Sequence, residues 1–369
     1  MKVALVYRDA LQGGGYPRDA RWLAGSLAAH GASVTLVSRP GGETDGLTDD
    51  VRWLDFGAAV GAGQWDIVHH LFGIFIPGQI EVARRLPGRV HVISPGAHLM
   101  RAHLARRWWK KIPYVLWWRA RLVGKSVALH VFSEAELPVL RWILRRAPVF
   151  RAPLGIFPPP EGRTSSAPAS GGNRRSPAEG PVLFLGRNDV SQKGIDHLLR
   201  GFARALARGF CTPLVIAGRP WGDSHVQIRR LCAELGIEGQ VSVLGEVDED
   251  TKWELLRRAR CLAFLSRWDG PPRPVREALS VGTPVIVSHG TNMADLVASE
   301  GAGAAVPEQV DAIADALLAT NDAACVAAWR DGALRLAERL AWPRVARCYL
   351  RGYESVLRGT AAKGGAHAG

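Results

Sequence analysis

Apolar residues along this chain gather in short unbroken runs, separated by stretches in which they recur every three or four positions. Runs without alternation predict strands of a parallel sheet covered on both faces, and the periodic stretches predict the helices that cover them. Residues 2–7 open as a strand, Gly13-Gly14-Gly15 follows as a loop, residues 19–30 form an amphipathic helix and 33–38 a second strand, which makes one βαβ unit. Strands are expected again at 67–70, 90–94, 127–133 and 149–152, with a basic helical region before the third of these. A second series begins at 182–185 and continues at 214–217, 241–244, 262–265 and 285–288. Residues 342–357 form a last helix carrying Trp342, Tyr349 and Tyr353. The fold class is α/β throughout, with two Rossmann-like parallel sheets.

Between the two series the chain turns to Pro, Ser, Gly and Ala over residues 158–181, a composition that buries too little surface to fold alone. A length of 369 residues suits two domains of roughly 150 to 200 residues each. The expected division is 1–160, a flexible linker at 161–180, a second domain at 181–341, a helix at 342–358 that packs back on the first domain, and a tail at 359–369. Two such domains leave a cleft where the strand ends of both sheets face one ligand. No apolar run is long enough to cross a bilayer, and the start of the chain has no leader pattern, so a cytoplasmic protein is expected. Five cysteines, odd in number and never spaced C-x-x-C, read as buried free thiols rather than a metal or disulfide framework.

The formal charge of +13 changes the picture, because it calls for an anionic partner or surface. Residues 82–133 contain no Asp or Glu, yet they hold Arg106, Arg107, Lys110, Lys111 and seven further cations, interleaved with Trp108, Trp109, Tyr114, Trp117 and Trp118. A solvated helix face does not need four exposed tryptophans, although some of these rings could be core. Nucleic acid accepts cations with aromatics, but no binding module accompanies them. A membrane surface fits best, since Trp and Tyr favour the headgroup zone and each Lys or Arg gains roughly 1 kcal/mol near anionic lipid.

The densest chemistry lies at residues 266–288, S-R-W-D-G-P-P-R-P-V-R-E-A-L-S-V-G-T-P-V-I-V-S. Asp269 sits in a loop eight residues before Glu277, which falls in the first turns of a helix ended by Gly282. Unpaired N–H groups and the positive dipole end at such a helix start favour phosphate. A carboxylate just beyond offers two acceptor oxygens to a pair of sugar hydroxyls. After the strand at 182–185 comes Gly186-Arg187-Asn188-Asp189-Val190-Ser191-Gln192-Lys193-Gly194-Ile195-Asp196, which places two cations where an open α/β sheet binds its ligand. Two fixed cations can clamp a diphosphate and stabilise charge on it as it leaves. The glycine loop permits close approach to a phosphate or sugar, but it is not G-x-G-x-x-G and Arg39 closes the second strand where a nicotinamide-binding unit carries an acid, so an oxidoreductase is disfavoured.

G-R-x(5)-K-G-I-D, L-V-I-A-G (214–218), V-S-V-L-G-E-V (241–247), the 266–288 segment and T-N-x-x-D-L-V (291–297) together resemble the donor domain of retaining glycosyltransferases of family four, glycosyl transferases group 1, which have the GT-B fold. The resemblance spans about 182–357 and is weaker at the glycine loop, at S-P-G-A-H (94–98), L-H-V-F-S-E-A-E-L (129–137) and A-P-L-G-I (152–156). It implies that Arg187 and Lys193 bind the donor diphosphate, Glu277 the nucleotide ribose, and Asp269 the transferred sugar, in place of the first glutamate of the family's E-x(7)-E pair. Pro271 and Pro272 stand where many members have Phe-Gly and cannot donate, so donation falls to Gly270, Arg273 or neighbours. Gly14, Gly15 and Gly186 would approach the donor, and His98 the sugar; for His69, His70 and His98 alike, a structural role weighs as much as a functional one. Glu134 and Glu136 read as structural.

The resulting expectation is a hexosyltransferase that uses a nucleotide diphosphate sugar, retains the anomeric configuration and acts on a glycan or glycolipid in polysaccharide or glycoconjugate synthesis, peripheral to the inner membrane face. No metal requirement and no nucleic acid are expected. The alternatives are a nucleotide-sugar epimerase of the same fold and a non-catalytic membrane- or nucleic-acid-binding protein.

Overall fold

The computed structural model describes residues 1–76, 78–105, 108–121, 126–159 and 180–365, and its chain forms two compact units, Met1–Gly155 with Leu340–Gly369, and Ile156–Arg339. The expected linker at 161–180 lies, apart from Gly180, outside the described residues. The units divide at Gly155 and Arg339, a few residues from the expected 160 and 341.

The first unit is built on strands β1 (Lys2–Val6), β2 (Ser33–Val37), β3 (Arg52–Leu54), β4 (Trp65–His70), β5 (Gly88–Ile93), β6 (Val127–Val131) and β7 (Val149–Arg151), all parallel and in the order β3-β2-β1-β4-β5-β6-β7. The second is built on β8 (Val182–Leu185), β9 (Leu214–Ala217), β10 (Val241–Gly245), β11 (Cys261–Phe264), β12 (Val285–Ser288) and β13 (Gly303–Val306), also parallel, in the order β10-β9-β8-β11-β12-β13. Strands β8, β11 and β12 are buried along their whole length, whereas edge strand β10 is exposed at alternate residues. Helices on both faces bury the central strands, which is why β8, β11 and β12 are Val, Leu, Ile, Phe and Ala apart from Cys261 and Ser288. Each sheet reverses its winding once, between β1 and β4 in the first unit and between β8 and β11 in the second. Loops leaving the carboxyl ends there diverge and leave a crevice.

Two strands were not foreseen. β3 is a three-residue edge strand, too short for a pattern, and β13 reads Gly-Ala-Ala-Val, without the bulky residues that mark a strand. The first helix starts at Gly15 rather than 19, because Pro17 is tolerated in a first turn and Gly15 carries no periodic signal. The last helix runs from Trp342 to Gly365, so the expected tail begins later than 359. Of the cysteines only Cys232 and Cys261 are buried; Cys211 is exposed and Cys325 and Cys348 are intermediate, which corrects the expectation of five buried thiols.

The helix Trp342–Gly365 belongs to the first unit. A Cβ on Gly155 would fall 2.2 Å from the Trp342 indole, and one on Gly352 2.2 Å from the Phe150 ring, so glycine sets how closely this helix approaches β7 and the segment after it. Its Tyr353 ends a buried polar chain. Tyr353 Oη lies 2.6 Å from His69 Nδ1, His69 Nε2 2.5 Å from Ser94 Oγ, Ser94 Oγ 2.5 Å from His130 Nδ1, and His130 Nε2 2.9 Å from the Ala152 carbonyl. A carbonyl only accepts, so His130 Nε2 carries a proton. With both buried imidazoles neutral, the other directions follow: Tyr353 donates to His69, His69 to Ser94, Ser94 to His130. Burial pushes His130 down to about 4 and His69 well below its usual value, consistent with that assignment. These histidines hold the helix to the sheet; His70, whose Nε2 lies 3.2 Å from His91 Nδ1, is buried too.

Glu136 is likewise structural. It is fully buried, accepts from the Phe132 N–H at 2.9 Å, and burial raises its carboxyl to about 7.

A depressed folded pKa means that the unfolded chain takes up the proton first, so the contribution of His69 and His130 is complete above about 6.5 and is lost as pH falls toward 4. Glu136, raised to about 7, gains stability as pH falls through the same window and opposes this loss, so the drop in urea midpoint is expected in Glu136→Gln, where that titration is removed. Tyr353→Phe is expected to cost ~1–2 kcal/mol at pH 7 by leaving His69 without its donor. A flat profile of Glu136→Gln between pH 6.5 and 4 would contradict the neutral chain.

Candidate active site

The loops after β8 and β11 meet at the switch point of the second sheet, and glycine lets them meet closely. Gly194 has φ 64°, and a Cβ there would lie 2.0 Å from the Leu265 carbonyl. Gly218 has φ 141°, and a Cβ would lie 1.8 Å from the Gly186 carbonyl. Side-chain hydrogen bonds then stitch the loops: Ser266 Oγ donates to the Gln192 carbonyl at 2.9 Å, and Arg267 donates to both Asp196 oxygens at 2.9 and 2.6 Å.

On this frame the structure brings together most of the sequence-derived residues. Lys193 Nζ forms an ion pair with Asp269, the acid eight residues before Glu277. The Asp269 backbone is clamped to the loop after β12, its N–H donating to Gly290 at 2.9 Å and its carbonyl accepting from Asn292 at 3.2 Å. Arg187 donates from Nη2 to Gln192 at 2.7 Å and lies 4.2 Å from the centroid of the Trp221 ring, which is itself exposed. Its Nε is buried without a hydrogen-bond partner among the described residues.

The helix Arg273–Ser280 starts at this same edge. Pro272 is its N-cap, no side chain caps it, and its first turn holds no acid, so its leading N–H groups keep the positive end of the dipole available to an anion. Gly270, Pro271 and Pro272 are buried beside it. Glu277, only 4% exposed, is not a lone acceptor: its Oε1 takes hydrogen bonds from Lys252 and Arg273, both at 2.9 Å. Arg273 is thus committed to Glu277 rather than aimed freely at a phosphate. Lys252 is also paired with Glu249 at 2.7 Å.

Sequence reasoning missed Gln192, Trp221 and Lys252. Trp221 carried a faint signal, an aromatic just past a Gly-Arg-Pro turn at a strand end; Lys252 carried none, being one of several charges on the helix Glu249–Arg258.

The remaining residues lie in the first unit. Gly14 has φ 124° and precedes the uncapped helix Gly15–Ala28, while Cβ atoms on Gly13 and Gly15 would meet open space. His98 lies in the turn Gly96–Leu99, stacked on His103 with ring centroids 5.3 Å apart and pressed against Gly73. Phe72, after β4, is the non-glycine residue found at positive φ among the described residues, 55°, and its ring stacks 4.9 Å from Tyr16. Strain of this kind concentrates at functional edges. Of the basic region, Trp108 and Trp109 are exposed, but Trp118 is 1% exposed and belongs to the core, so four exposed tryptophans is corrected to two, with Trp117 intermediate. Arg106 and Arg107 lie outside the described residues.

Comparison with known proteins places this geometry. Residues 173–320 match the family of glycosyl transferases group 1. The chain is similar to the MMP alpha-(1->4)-mannosyltransferase of Mycolicibacterium hassiacum, 27% identical over 70% of this chain and 62% of that one. It is also similar to the GDP-mannose:cellobiosyl-diphosphopolyprenol alpha-mannosyltransferase of Xanthomonas campestris, 28% identical over 51% and 50%. These matches span half to about three fifths of the relatives' own length. Among solved structures, sucrose-phosphate synthase from Thermosynechococcus elongatus superposes with a TM-score of 0.70 at 18% identity, covering 97% of this chain and 99% of that one, and the fold is GT-B.

The Glu277 cluster yields a stability test. Glu277→Gln is expected to cost ~1–3 kcal/mol, because Lys252 and Arg273 lose the buried negative charge that both face, and Lys252→Met in that background to recover part of it. A double-mutant cycle in urea reads the coupling; strictly additive effects would rule the pair out as a unit.

Proposed function

We propose that this chain, whose residues 173–320 match the glycosyl transferases group 1, moves a hexose from a nucleotide diphosphate sugar to a hydroxyl of a glycan or lipid-linked glycan, with retention at the anomeric carbon. The observation that carries this reading is the convergence of Arg187, Lys193, Asp269 and an uncapped helix start at one switch point. Mannose is the sugar we favour, since both relatives described above are named as mannosyltransferases.

An incoming diphosphate competes with Asp269 for the Lys193 ammonium. The closed ion pair then becomes a cation on the phosphate and a carboxylate free to accept from a sugar hydroxyl. As the bond between the anomeric carbon and the diphosphate oxygen breaks, charge growing on that oxygen is met by Lys193, Arg187 and the N–H groups at the start of the helix Arg273–Ser280. Glu277, held by Lys252 and Arg273, offers its carboxylate to the ribose hydroxyls. These cations supply the neutralisation that a metal supplies in other sites.

The acceptor side rests on the helix Trp108–Arg121. Val115 and Trp118 anchor it at 1% exposure each, while Trp109, Pro113, Leu116 and Ala120 form an exposed apolar stripe at helical spacing, with Trp108, Lys110 and Arg119 exposed beside it. An apolar stripe bordered by cations fits an anionic membrane surface. No described helix is long and apolar enough to cross a membrane.

Incubation with UDP-, GDP- and ADP-sugars is expected to show slow donor hydrolysis with one of them, unchanged by EDTA, with Lys193→Ala and Arg187→Ala each lowering turnover about 100-fold or more. Binding of no nucleotide sugar would end the transferase reading, and an inverted product anomer seen by NMR would end retention. In liposome co-sedimentation, binding should require anionic lipid and fall when Trp108 and Trp109 are both replaced by Ser; equal binding to neutral vesicles would sink the electrostatic account.

A further inference from the structure

The helix Trp108–Arg121 has a third face. Lys110, Lys111, Tyr114 and Trp117 recur at helical spacing between the core side and the exposed stripe, and they line a cavity of about 690 Å³ that lies wholly within the first unit. That volume falls in the range, roughly 300–1,000 Å³, of pockets that bury most of a ligand. Facing the helix across the cavity are Phe75, from the segment after β4, and the stacked rings of His98 and His103.

The lining has two chemical characters. Phe75, Tyr114 and Trp117 make an apolar wall, with Phe75 and Tyr114 centroids 5.2 Å apart and Tyr114 and Trp117 centroids 5.3 Å apart. Tyr114 is held in place by donating to the Ile74 carbonyl at 2.8 Å, and Lys111 by donating to the His103 carbonyl. The polar part holds two ammonium groups, Lys110 and Lys111, against one carboxylate, Glu81. Burial, helped by His103 and Lys111, lowers His98 to about 4, so near pH 7 its ring is neutral, and its Nδ1 is buried with no hydrogen-bond partner among the described residues.

We propose that this cavity holds the phosphate-bearing head of a lipid-linked acceptor, with the phosphate on Lys110 and Lys111 and the first part of the hydrocarbon chain against Phe75, Tyr114 and Trp117. The proposal rests on the transferase reading for the word acceptor, but not for the binding itself. Charge complementarity selects the head, since the cations outnumber the acid. The rings select an apolar chain next to it, and the exposed stripe of the same helix gives the remainder of such a chain a surface along which to leave. A free phosphate would use only the lysines, and an uncharged alcohol only the rings.

Isothermal titration of the full chain with farnesyl phosphate, farnesol and inorganic phosphate separates these cases. Farnesyl phosphate is expected to bind at least roughly ten-fold more tightly than either of the others, and Lys110→Gln and Phe75→Ala each to weaken it roughly five-fold or more. Farnesol or inorganic phosphate binding as well as farnesyl phosphate would overturn the proposal, as would unchanged affinity in both variants. Nucleotide binding, measured on the same samples, should be equal in the wild type and both variants, which reports that they are folded. A wild-type chain that takes farnesyl phosphate but no nucleotide keeps the lipid site and loses the transfer reaction; one that takes nucleotide but not farnesyl phosphate loses the lipid site alone.

Discussion

A parallel sheet buried on both faces leaves only its strand ends to meet polar ligands, and the candidate site of the second unit follows from that constraint. Side chains of β8, β11 and β12 are committed to the core, so chemistry is displaced onto the loops at their carboxyl ends. The reversal of winding between β8 and β11 then decides which two loops face one another. Arg187 and Lys193 come from one loop, Asp269 and the start of the helix Arg273–Ser280 from the other, and neither set makes a site without its partner.

Close approach of those loops depends on backbone, not on side chains. A Cβ at Gly194 would collide with the Leu265 carbonyl after β11, and one at Gly218, which follows the neighbouring β9, with the Gly186 carbonyl after β8. What looks in the sequence like punctuation between strands is therefore what sets the spacing of the charged groups.

The legibility of the chain follows the same division. The long apolar strands and the βαβ rhythm could be read directly, because burial on both faces imposes composition. Arg187, Lys193, Asp269 and Glu277 stood out because they flank Gly and Pro at strand ends. The longer pairings did not: Arg273 lies four positions before Glu277 on the same helix, but that Lys252 shares the same oxygen, and that Lys193 rests on Asp269, depends on contacts 25 and 76 positions apart in the chain, which no local pattern carries. Which tryptophans of the basic region are core stayed open in the sequence for a related reason: on a helix with a core face, an exposed stripe and a cavity face, neighbouring positions fall on different faces, and Pro113 inside the helix blurs the phase.

The one-way hydrogen-bond chain from Tyr353 to Ala152 bears on how the molecule is made. Its donor sits on the helix Trp342–Gly365, yet its acceptors belong to strands that leave the ribosome before the whole of the second unit is synthesised. Until that helix arrives, His69, Ser94 and His130 lack their final donor, and the apolar groove that takes Trp342, Tyr349 and Tyr353 stays open. The second unit, continuous from Ile156 to Arg339, has no such dependence and can close on its own. The unit that comes first in the sequence is thus the last to be finished, and the chain spends its synthesis with a complete second sheet and an unsealed first one.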